Sequence, residues 1–170
     1  MSNQLGRKIV VVGVSASGKS TFTRELSKKL GIELILMDSI MWKPGWEYVG
    51  DDEVNKKLSE ISSGPDWLIE GYITRNSRTI VFNRADSIIY LDYSPLLSGW
   101  RYVKRCWRHR KVAREELLGS PDKFSLKFLW LVLTKGEAIS LNKFLDEVSD
   151  SSKIIRFTSP RQALNFINKL

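Results

Sequence analysis

One run of the sequence decides the class of fold: Lys8-Ile9-Val10-Val11-Val12-Gly13-Val14-Ser15-Ala16-Ser17-Gly18-Lys19-Ser20. Residues 9–12 are all β-branched and apolar, which is typical of a strand buried on both faces of a sheet. Residues 13–20 satisfy the pattern G-x-x-x-x-G-K-[S/T], whose successive backbone N–H groups form a cradle for phosphate. A helix is predicted over residues 18–30, with Phe22, Leu26 and Leu30 on one face. A strand, a cradle and a helix in this order predict a nucleotide-phosphate site.

Each residue type in the cradle has a physical task. Glycine at positions 13 and 18 lets the backbone turn tightly and approach a ligand with no Cβ in the way. Lys19 is expected to reach the β- and γ-phosphates of ATP or GTP, and the Ser20 hydroxyl to coordinate Mg²⁺. A nucleoside triphosphate, ATP or GTP, and Mg²⁺ are therefore the expected ligands. The predicted nucleotide-binding residues of the loop are Gly13, Val14, Ser15, Ala16, Ser17, Gly18, Lys19, Ser20 and Thr21.

The rest of the chain alternates short β-rich runs with helical patterns, which is typical of a parallel sheet with crossover helices. After the first strand at residues 8–12, further strands are predicted at residues 33–37, 67–70, 87–91 and 153–157. Helices are predicted over residues 51–62, from Ser94 onward, over residues 120–148 and over residues 160–170. The pattern predicts a single α/β P-loop domain over residues 1–170, with ligands at the carboxyl ends of its strands.

Composition limits the kinds of partner. Of 170 residues, 27 are Lys or Arg and 19 are Asp or Glu, a formal net charge of +8. Such an excess suits anionic partners, which include nucleotide phosphates, acidic metabolites and nucleic acid. The longest apolar run, residues 128–133, is far shorter than the about 20 residues that cross a bilayer, so no membrane partner is expected. A single cysteine, Cys106, fits a reducing compartment, and we expect the protein to be cytoplasmic.

Two acidic residues follow predicted strands and are candidates for the chemistry. Asp38 is expected to hold an acceptor hydroxyl or a magnesium-bound water, with a solvated loop residue or a helix cap as the alternative. Glu70 is expected to be the acidic partner of Mg²⁺, with a helix cap as the alternative. Trp42 is predicted to stack on a substrate ring or, equally, to cover the core. Arg75 and Arg78 are candidates for clamping a phosphate or an acidic acceptor, with a solvated side chain as the alternative. The predicted substrate-binding residues are Asp38, Trp42, Glu70, Tyr72 and Arg75.

The basic helix after Ser94 carries two stripes at helical spacing. The apolar stripe, which is expected to pack against the protein, comprises Leu96, Trp100, Val103 and Trp107. Arg101, Arg105 and Arg108 form the neighbouring stripe and are predicted to close over a triphosphate, where arginines stabilise charge on the transferring group. Two alternatives stay open for this helix. It is a solvated face, or it binds DNA in a nucleotide-dependent regulatory protein.

Several runs together resemble one known group. They are residues 13–21, Leu36-Met37-Asp38 with Trp42, Ile69-Glu70-Gly71-Tyr72, Leu91-Asp92-Tyr93, the arginine-rich helix and Ser159-Pro160-Arg161. This ordered set resembles the bacterial DNA topology modulation proteins, which belong to the adenylate kinase-like P-loop kinases, and it covers nearly the whole chain. The resemblance implies a five-stranded sheet of order 2-3-1-4-5, flanked by helices, and a mobile helical lid over about residues 94–119.

The resemblance also implies an activity, an ATP-dependent phosphotransferase acting on a small-molecule acceptor, with ATP and Mg²⁺ as the cofactors. Related kinases phosphorylate nucleotides, shikimate or gluconate, so the acceptor is left open. The implied catalytic residues are Lys19, Arg101, Arg105 and Arg108; the implied metal-binding residues are Ser20 and Glu70; and the implied adenine-binding residues are Ser159, Pro160 and Arg161. Two positions depart from the group. Ala16 stands where many relatives carry glycine, and Glu70 stands where they usually carry aspartate.

Overall fold

Five parallel strands form the central sheet of the computed structural model. The model describes residues 5–73, 75–109, 120, 122–134, 136–146, 148 and 150–170, apart from the side chains of residues 75, 76 and 137. The strands of the sheet are β1 (Lys8–Gly13), β2 (Leu34–Leu36), β5 (Trp67–Glu70), β6 (Ser87–Leu91) and β7 (Ile154–Phe157), and β3 (Trp42–Lys43) pairs with β4 (Glu47–Tyr48) in a separate antiparallel hairpin. The sheet order is β2-β5-β1-β6-β7. When only the five strands of this sheet are counted in chain order, without the hairpin strands, the order is 2-3-1-4-5, and the predicted order is confirmed.

The first strand lies at the centre of the sheet. On one side Val10 is opposite Ile69 of β5, and on the other it is opposite Ile88 of β6. Ile9, Val10 and Val11 are fully buried. Burial on both faces explains why this strand is an unbroken apolar run instead of alternating with polar residues. It also fixes the position of the phosphate loop, which begins where β1 ends.

Eight helices connect and cover the strands in the described part of the chain. They are α1 (Lys19–Leu30), α2 (Met37–Met41), α3 (Asp51–Ser62), α4 (Arg75–Arg84), α5 (Pro95–Arg108), α6 (Leu126–Leu133), α7 (Gly136–Asp146) and α8 (Pro160–Lys169), with a 3₁₀ turn over Ser151–Lys153. Pro95 and Pro160 each occupy the first turn of a helix, where the missing N–H costs no hydrogen bond. Gly31 ends α1 in the left-handed conformation, and its N–H bonds to the Ser27 carbonyl.

Two hydrophobic cores lie on opposite faces of the sheet. One joins the sheet to α2, α3, α4 and α7, and includes Val10, Ile69, Leu58, Phe82 and Leu145. The other joins it to α1 and α8, and includes Ile9, Leu68, Leu26, Phe157 and Ile167. Neighbouring residues of one strand face different cores because strand side chains alternate. The result is a three-layer α/β arrangement, as predicted.

Two predicted elements differ from the structure. The second strand ends at Leu36, and α2 begins at Met37, so Asp38 lies in the first turn of a helix and does not end a strand. The long helix predicted over residues 120–148 is two helices. Ser125 caps α6 by accepting a hydrogen bond from the Phe128 N–H, and residues 122–125 before it are not helical. α6 ends at Leu133, and α7 begins again at Gly136.

Two further elements were not predicted, the β3–β4 hairpin and α4. The hairpin strands have only two residues each, which is too short for a periodic signal. α4 has a weak apolar stripe in a polar sequence, so its pattern resembled a loop. The part of the predicted lid at residues 110–119 lies outside the described residues.

The apolar stripe of α5 is exposed, which contradicts its predicted packing against the protein. Leu96, Trp100 and Trp107 are 77%, 61% and 70% exposed. The helix packs by its buried residues instead, which are Ser98, Gly99, Tyr102 and Cys106. A Cβ at Gly99 would lie 2.8 Å from Leu133 Cδ2, so the absent side chain allows α6 to approach. Small residues therefore decide which face of α5 is buried.

No helix among the described residues is long and apolar enough to cross a bilayer.

Candidate functional site

The phosphate loop closes on itself at the carboxyl end of β1. The Ser17 N–H bonds to the Val14 carbonyl at 3.1 Å, and Gly18 has a φ of 101° as the residue that precedes α1. Lys19 donates from Nζ to the carbonyls of Gly13 and Val14, at 3.0 Å each, and its side chain is buried. The ammonium is thus held inside the loop by two neutral carbonyls. These are partners that phosphate oxygens can replace, because an anionic oxygen attracts the ammonium more strongly than a neutral carbonyl does.

Ala16 adopts the left-handed conformation within this loop, with a φ of 60°. This region favours glycine, because a Cβ costs an L-residue roughly 1–2 kcal/mol there. The Ala16 side chain is therefore accommodated at the cost of local backbone strain.

Ser20 and Glu70 come together although 50 positions separate them in the sequence. The Ser20 hydroxyl donates to Glu70 Oε2 at 3.3 Å. β5 lies beside β1 with Glu70 opposite Val11, and the backbone of Gly71 approaches α2 so closely that a Cβ would lie 2.8 Å from Met37 Cβ. Glu70 is buried.

The oxygens of Ser20 and Glu70 fit a Mg²⁺ ion that is shared with phosphate, because Mg²⁺ binds through one or two protein oxygens, substrate phosphates and water. No group of three or more metal-binding side chains occurs in the described ranges, so these residues offer no all-protein cage there. The set suits an ion that arrives with a nucleotide.

The three arginines of α5 occupy different surroundings. The Arg101 guanidinium donates to the Ser17 carbonyl of the phosphate loop and lies over the Tyr93 ring, at 5.8 Å. Arg105 pairs with the buried Asp122, at 3.4 Å. Arg108 is exposed at the mouth of the cleft. Arg101 thus faces the phosphate loop and Arg105 faces the segment before α6, so the placement of these two arginines gives no support to DNA binding by this helix.

Tyr93 provides the surface beneath Arg101. Burial raises the pKa of Tyr93, and the nearby Arg101 charge offsets part of that rise. The phenol is therefore neutral at physiological pH, and its ring face stays available to the guanidinium.

An open cleft of about 640 Å³ lies at the carboxyl ends of the strands. It is lined by the phosphate loop, by the inward face of α5 and by the start of α8. The predicted site residues that line it are Gly13, Ser15, Ala16, Ser17, Gly18, Lys19, Ser20, Thr21, Asp38, Glu70, Tyr72, Arg101, Arg105, Arg108 and Pro160. The cleft also contains residues that the sequence did not indicate as site residues: Trp100, Lys104, His109 and Leu164.

Some predicted residues lie elsewhere. Trp42 is packed in the β3–β4 hairpin, with ring centroids 5.7 Å from Trp46 and 5.5 Å from Tyr48. Ser159 caps α8 by accepting from the Gln162 N–H. The cleft-lining residues do not include Val14, Trp42, Ser159 or Arg161. Arg75 begins α4, but its side chain lies outside the described residues.

Arg78 is a second buried cation that lines the cleft, besides Lys19. It comes from α4, is 6% exposed, and donates from Nε to the Ile73 carbonyl at 2.8 Å. Its guanidinium lies 5.4 Å from the ring centroids of both Tyr72 and Phe144. The sequence marked Arg78 only as a possible clamp. Its burial depends on α4 and α7 packing together, which local patterning does not reveal.

Comparison with known proteins supports the architecture seen here. Shikimate kinase from Bacteroides thetaiotaomicron superposes with a TM-score of 0.60 at 14% identity, covering 95% of this chain and 94% of that one. A gluconokinase from Sinorhizobium meliloti 1021 superposes with a TM-score of 0.55 at 18% identity, covering 98% and 94%. The chain has the α/β P-loop NTPase fold. In this fold the loop after the first strand is the phosphate-binding element.

Comparison of amino-acid sequences gives a further similar protein. A Thermococcus gammatolerans protein, provisionally named an adenylate kinase, is 23% identical over 169 residues, covering 95% of this chain and 84% of its own length. No protein-family profile matches the chain.

Proposed function

We propose that this protein is an ATP-dependent kinase of the adenylate kinase-like group, acting on a small-molecule acceptor. One observation carries the proposal. Two sets of polar side chains line the same cleft. The first set lies at the phosphate loop and comprises Lys19, Ser20 and Glu70. The second set lies on the wall formed by α2 and α4 and comprises Asp38 and Arg78. Phosphoryl transfer needs a donor and an acceptor side by side with charge-stabilising groups around them. The kinase names of the similar proteins support this assignment.

The loop side supplies charge stabilisation for the donor. Lys19 would exchange its two carbonyl partners for phosphate oxygens, and Arg101 lies at the loop already. Ser20 and Glu70 would hold Mg²⁺, which neutralises phosphate charge when bound with ATP. Arg105 would exchange Asp122 for the transferring group, and Arg108 would approach from the mouth of the cleft. Such preorganised charges account for much of the catalysis in phosphoryl transfer.

The opposite wall would bind the acceptor. Asp38, in the first turn of α2, would accept a proton from an acceptor hydroxyl, and the exposed Tyr72 ring would contact the acceptor body. Arg78 indicates a further property of the acceptor. Its contacts in the described part of the chain are one carbonyl and two aromatic rings, with no carboxylate among them. A buried charge without a counter-ion is costly, so we propose that the acceptor carries a carboxylate or a phosphate.

The test is a screen for acceptor-stimulated ATP consumption. Each hydroxylated acid or monophosphate is paired with its uncharged analogue, and nucleoside monophosphates are included. We expect stimulation by charged members only. Lys19→Ala should lower turnover by about 100-fold or more, because a transition-state charge is lost. Arg78→Met should raise the KM for the acceptor by about 10-fold or more without a matching change in the KM for ATP.

Two outcomes would count against the proposal. Normal turnover in Lys19→Ala would exclude phosphoryl transfer at this loop. Equal stimulation by charged and uncharged analogues would leave the kinase activity in place but remove the proposed role of Arg78.

A further inference from the structure

An exposed apolar surface runs along the helices α5 and α6. Its residues, called the helical patch below, are Leu96, Trp100, Val103 and Trp107 of α5 and Leu126 and Trp130 of α6. On α6, Leu126 and Trp130 are 74% and 69% exposed. The sequence predicted that the α5 residues would be packed against the protein. Of the six residues, Trp100 alone lines the cleft.

The two helices run antiparallel. Gly99 faces Leu133 and Leu129 near the start of α5, and Tyr102 stacks near Phe124 and Phe128 further along it. Near the end of α5, Cys106 lies beside the Lys123 carbonyl. Positions on α5 and α6 therefore pair in opposite order, as in a helical hairpin.

The exposed residues of both helices fall on one side of this hairpin. Trp100 follows Gly99, and Trp130 follows Leu129, so each Trp lies about 100° around its helix from the contact face. The rotation from one residue to the next has the same sense along both helices, because both are right-handed. Because the helices are antiparallel, equal rotations bring both indole rings to the same side of the pair. The helical patch is thus one continuous surface and not two separate stripes.

The size of the helical patch exceeds that of an ordinary surface. Weighting side-chain areas by their exposed fractions gives a total of roughly 800 Å², with the three Trp contributing most. The largest apolar patch of a typical monomer is about 300–600 Å². A stable interface buries about 800 Å² on each partner. The helical patch is large enough by itself to form one side of such an interface.

We propose that the helical patch binds a second copy of this chain, related by a two-fold axis. A two-helix layer that meets its own copy forms a four-helix arrangement with an apolar centre, and each copy covers the same surface on the other. The arginines Arg101 and Arg105 do not oppose this pairing, because they face the phosphate loop and Asp122. The same placement argues against an anionic membrane as the occupant, since it removes those guanidiniums from the surface.

The flanking lysines make the pairing sensitive to salt. Lys104 and Lys127 are exposed beside the patch, and Lys104 Nζ lies 5.0 Å from the Trp100 ring centroid. In a symmetric pair these like charges lie at both rims and repel. Salt at about 0.1 M screens exposed charges beyond about 10 Å and higher salt screens them more closely, so added salt should tighten the pairing. Attraction to an anionic surface has the opposite dependence.

Sedimentation velocity at several protein concentrations tests the proposal. The wild type should sediment as a species of twice 19.5 kDa. The double variant Leu126→Glu/Trp130→Glu should raise the dissociation constant by at least about 100-fold, because it places charge at the centre of the interface. Neither residue lines the cleft. The matched control Leu170→Glu, at an exposed leucine of the C-terminus, should sediment as the wild type does.

Three results would overturn the proposal. A wild-type chain that remains monomeric at every concentration would mean that another part of the chain covers the helical patch or that nothing does. A dimer that the double variant leaves intact would place the interface elsewhere. Binding of the wild-type monomer to phosphatidylserine vesicles, weakened by salt and lost in the double variant, would assign the helical patch to a membrane.

Discussion

Single residues of the site show how the sequence tolerates local strain. Ala16 has a φ of 60° in the phosphate loop, whereas Gly31 has a φ of 62° at the end of α1. The φ angles of the two residues are nearly the same, but only Gly31 lacks a Cβ. No atom lies within 4 Å of a Cβ built on Gly31, so backbone conformation alone decides the effect of a substitution there.

This pair yields a reciprocal stability prediction. Ala16→Gly should raise the free energy of unfolding by about 0.5–1 kcal/mol, because it relieves the left-handed strain at a smaller entropic cost. Gly31→Ala should lower the free energy of unfolding by about 1 kcal/mol, because it introduces a Cβ at a left-handed position. Urea denaturation of both variants and the wild type is the measurement. Equal destabilisation by both substitutions would mean that the Ala16 methyl makes a packing contact that outweighs its strain.

A second residue-scale prediction separates Glu70 from Asp38. Glu70→Gln removes the carboxylate next to the Ser20 hydroxyl and should raise the Mg²⁺ concentration for half-maximal activity by about 10-fold or more. Asp38→Asn should mainly raise the KM for the acceptor and lower turnover, with the Mg²⁺ requirement unchanged. Steady-state titrations of Mg²⁺ and acceptor distinguish the two effects. Should both variants merely lose stability to the same extent, the two carboxylates serve the fold and not the reaction.

At the scale of elements, α5 is the part of the molecule with the most distinct faces. One face packs on α6 through Gly99 and Tyr102, a second directs Arg101 and Arg105 to the cleft, and a third is the helical patch. Asp122, from the segment before α6, pairs with Arg105 at 3.4 Å. A change of partner at Arg105 would therefore link the nucleotide to the α5–α6 pair.

Arg105 is expected to act during phosphoryl transfer more than in ATP binding. Arg105→Ala should lower turnover by about 100-fold or more and change the Kd for ATP by less than about 10-fold, since its charge is needed where negative charge develops. Hydrogen exchange should show that ATP with Mg²⁺ protects α5 and leaves β1 unchanged.

The matched control for Arg105 is Arg7→Ala, because Arg7 also pairs with an aspartate, Asp66, but at the opposite end of the sheet. This variant should keep wild-type turnover. Protection of α5 by duplex DNA but not by ATP, together with full turnover in Arg105→Ala, would assign the helix to nucleic-acid binding instead.

For the whole molecule, the site is assembled from elements far apart in the chain. The phosphate loop, Glu70 of β5 and Arg101 of α5 meet only in the folded protein. A ligand that needs all of them binds the folded state alone and shifts unfolding toward higher temperature.

ATP with Mg²⁺ should therefore stabilise the chain. At a ligand concentration about 100 times the Kd, the gain is about 2.7 kcal/mol, which raises the Tm by roughly 5–10 °C for a domain of this size. Differential scanning fluorimetry at one fixed protein concentration measures the shift. Lys19→Ala should lose most of it. A shift of the same size in that variant would place the nucleotide away from the phosphate loop.

The sequence by itself determined the features whose signals are local. The strand at residues 8–12, the phosphate loop and the capped helices follow from β-branched runs, glycine positions and apolar spacing, each readable within a dozen residues. The predicted strand at residues 67–70 with Glu70 at its end is confirmed for the same reason. The order of strands required the whole set of motifs, because parallel neighbours are distant in sequence.

Only the tertiary structure decided which faces are buried and which side chains meet. The strongest apolar stripe of α5 predicted packing through Trp100 and Trp107, yet the helix packs through Gly99. The reason is that α6 approaches α5 closely where Gly99 has no side chain, and this fit depends on the shapes of both helices. Likewise the burial of Arg78 and the contact of Ser20 with Glu70 join residues from separate elements. Periodicity reports the hydrophobicity of a face, but burial is a property of two faces together, and a single sequence pattern describes only one of them.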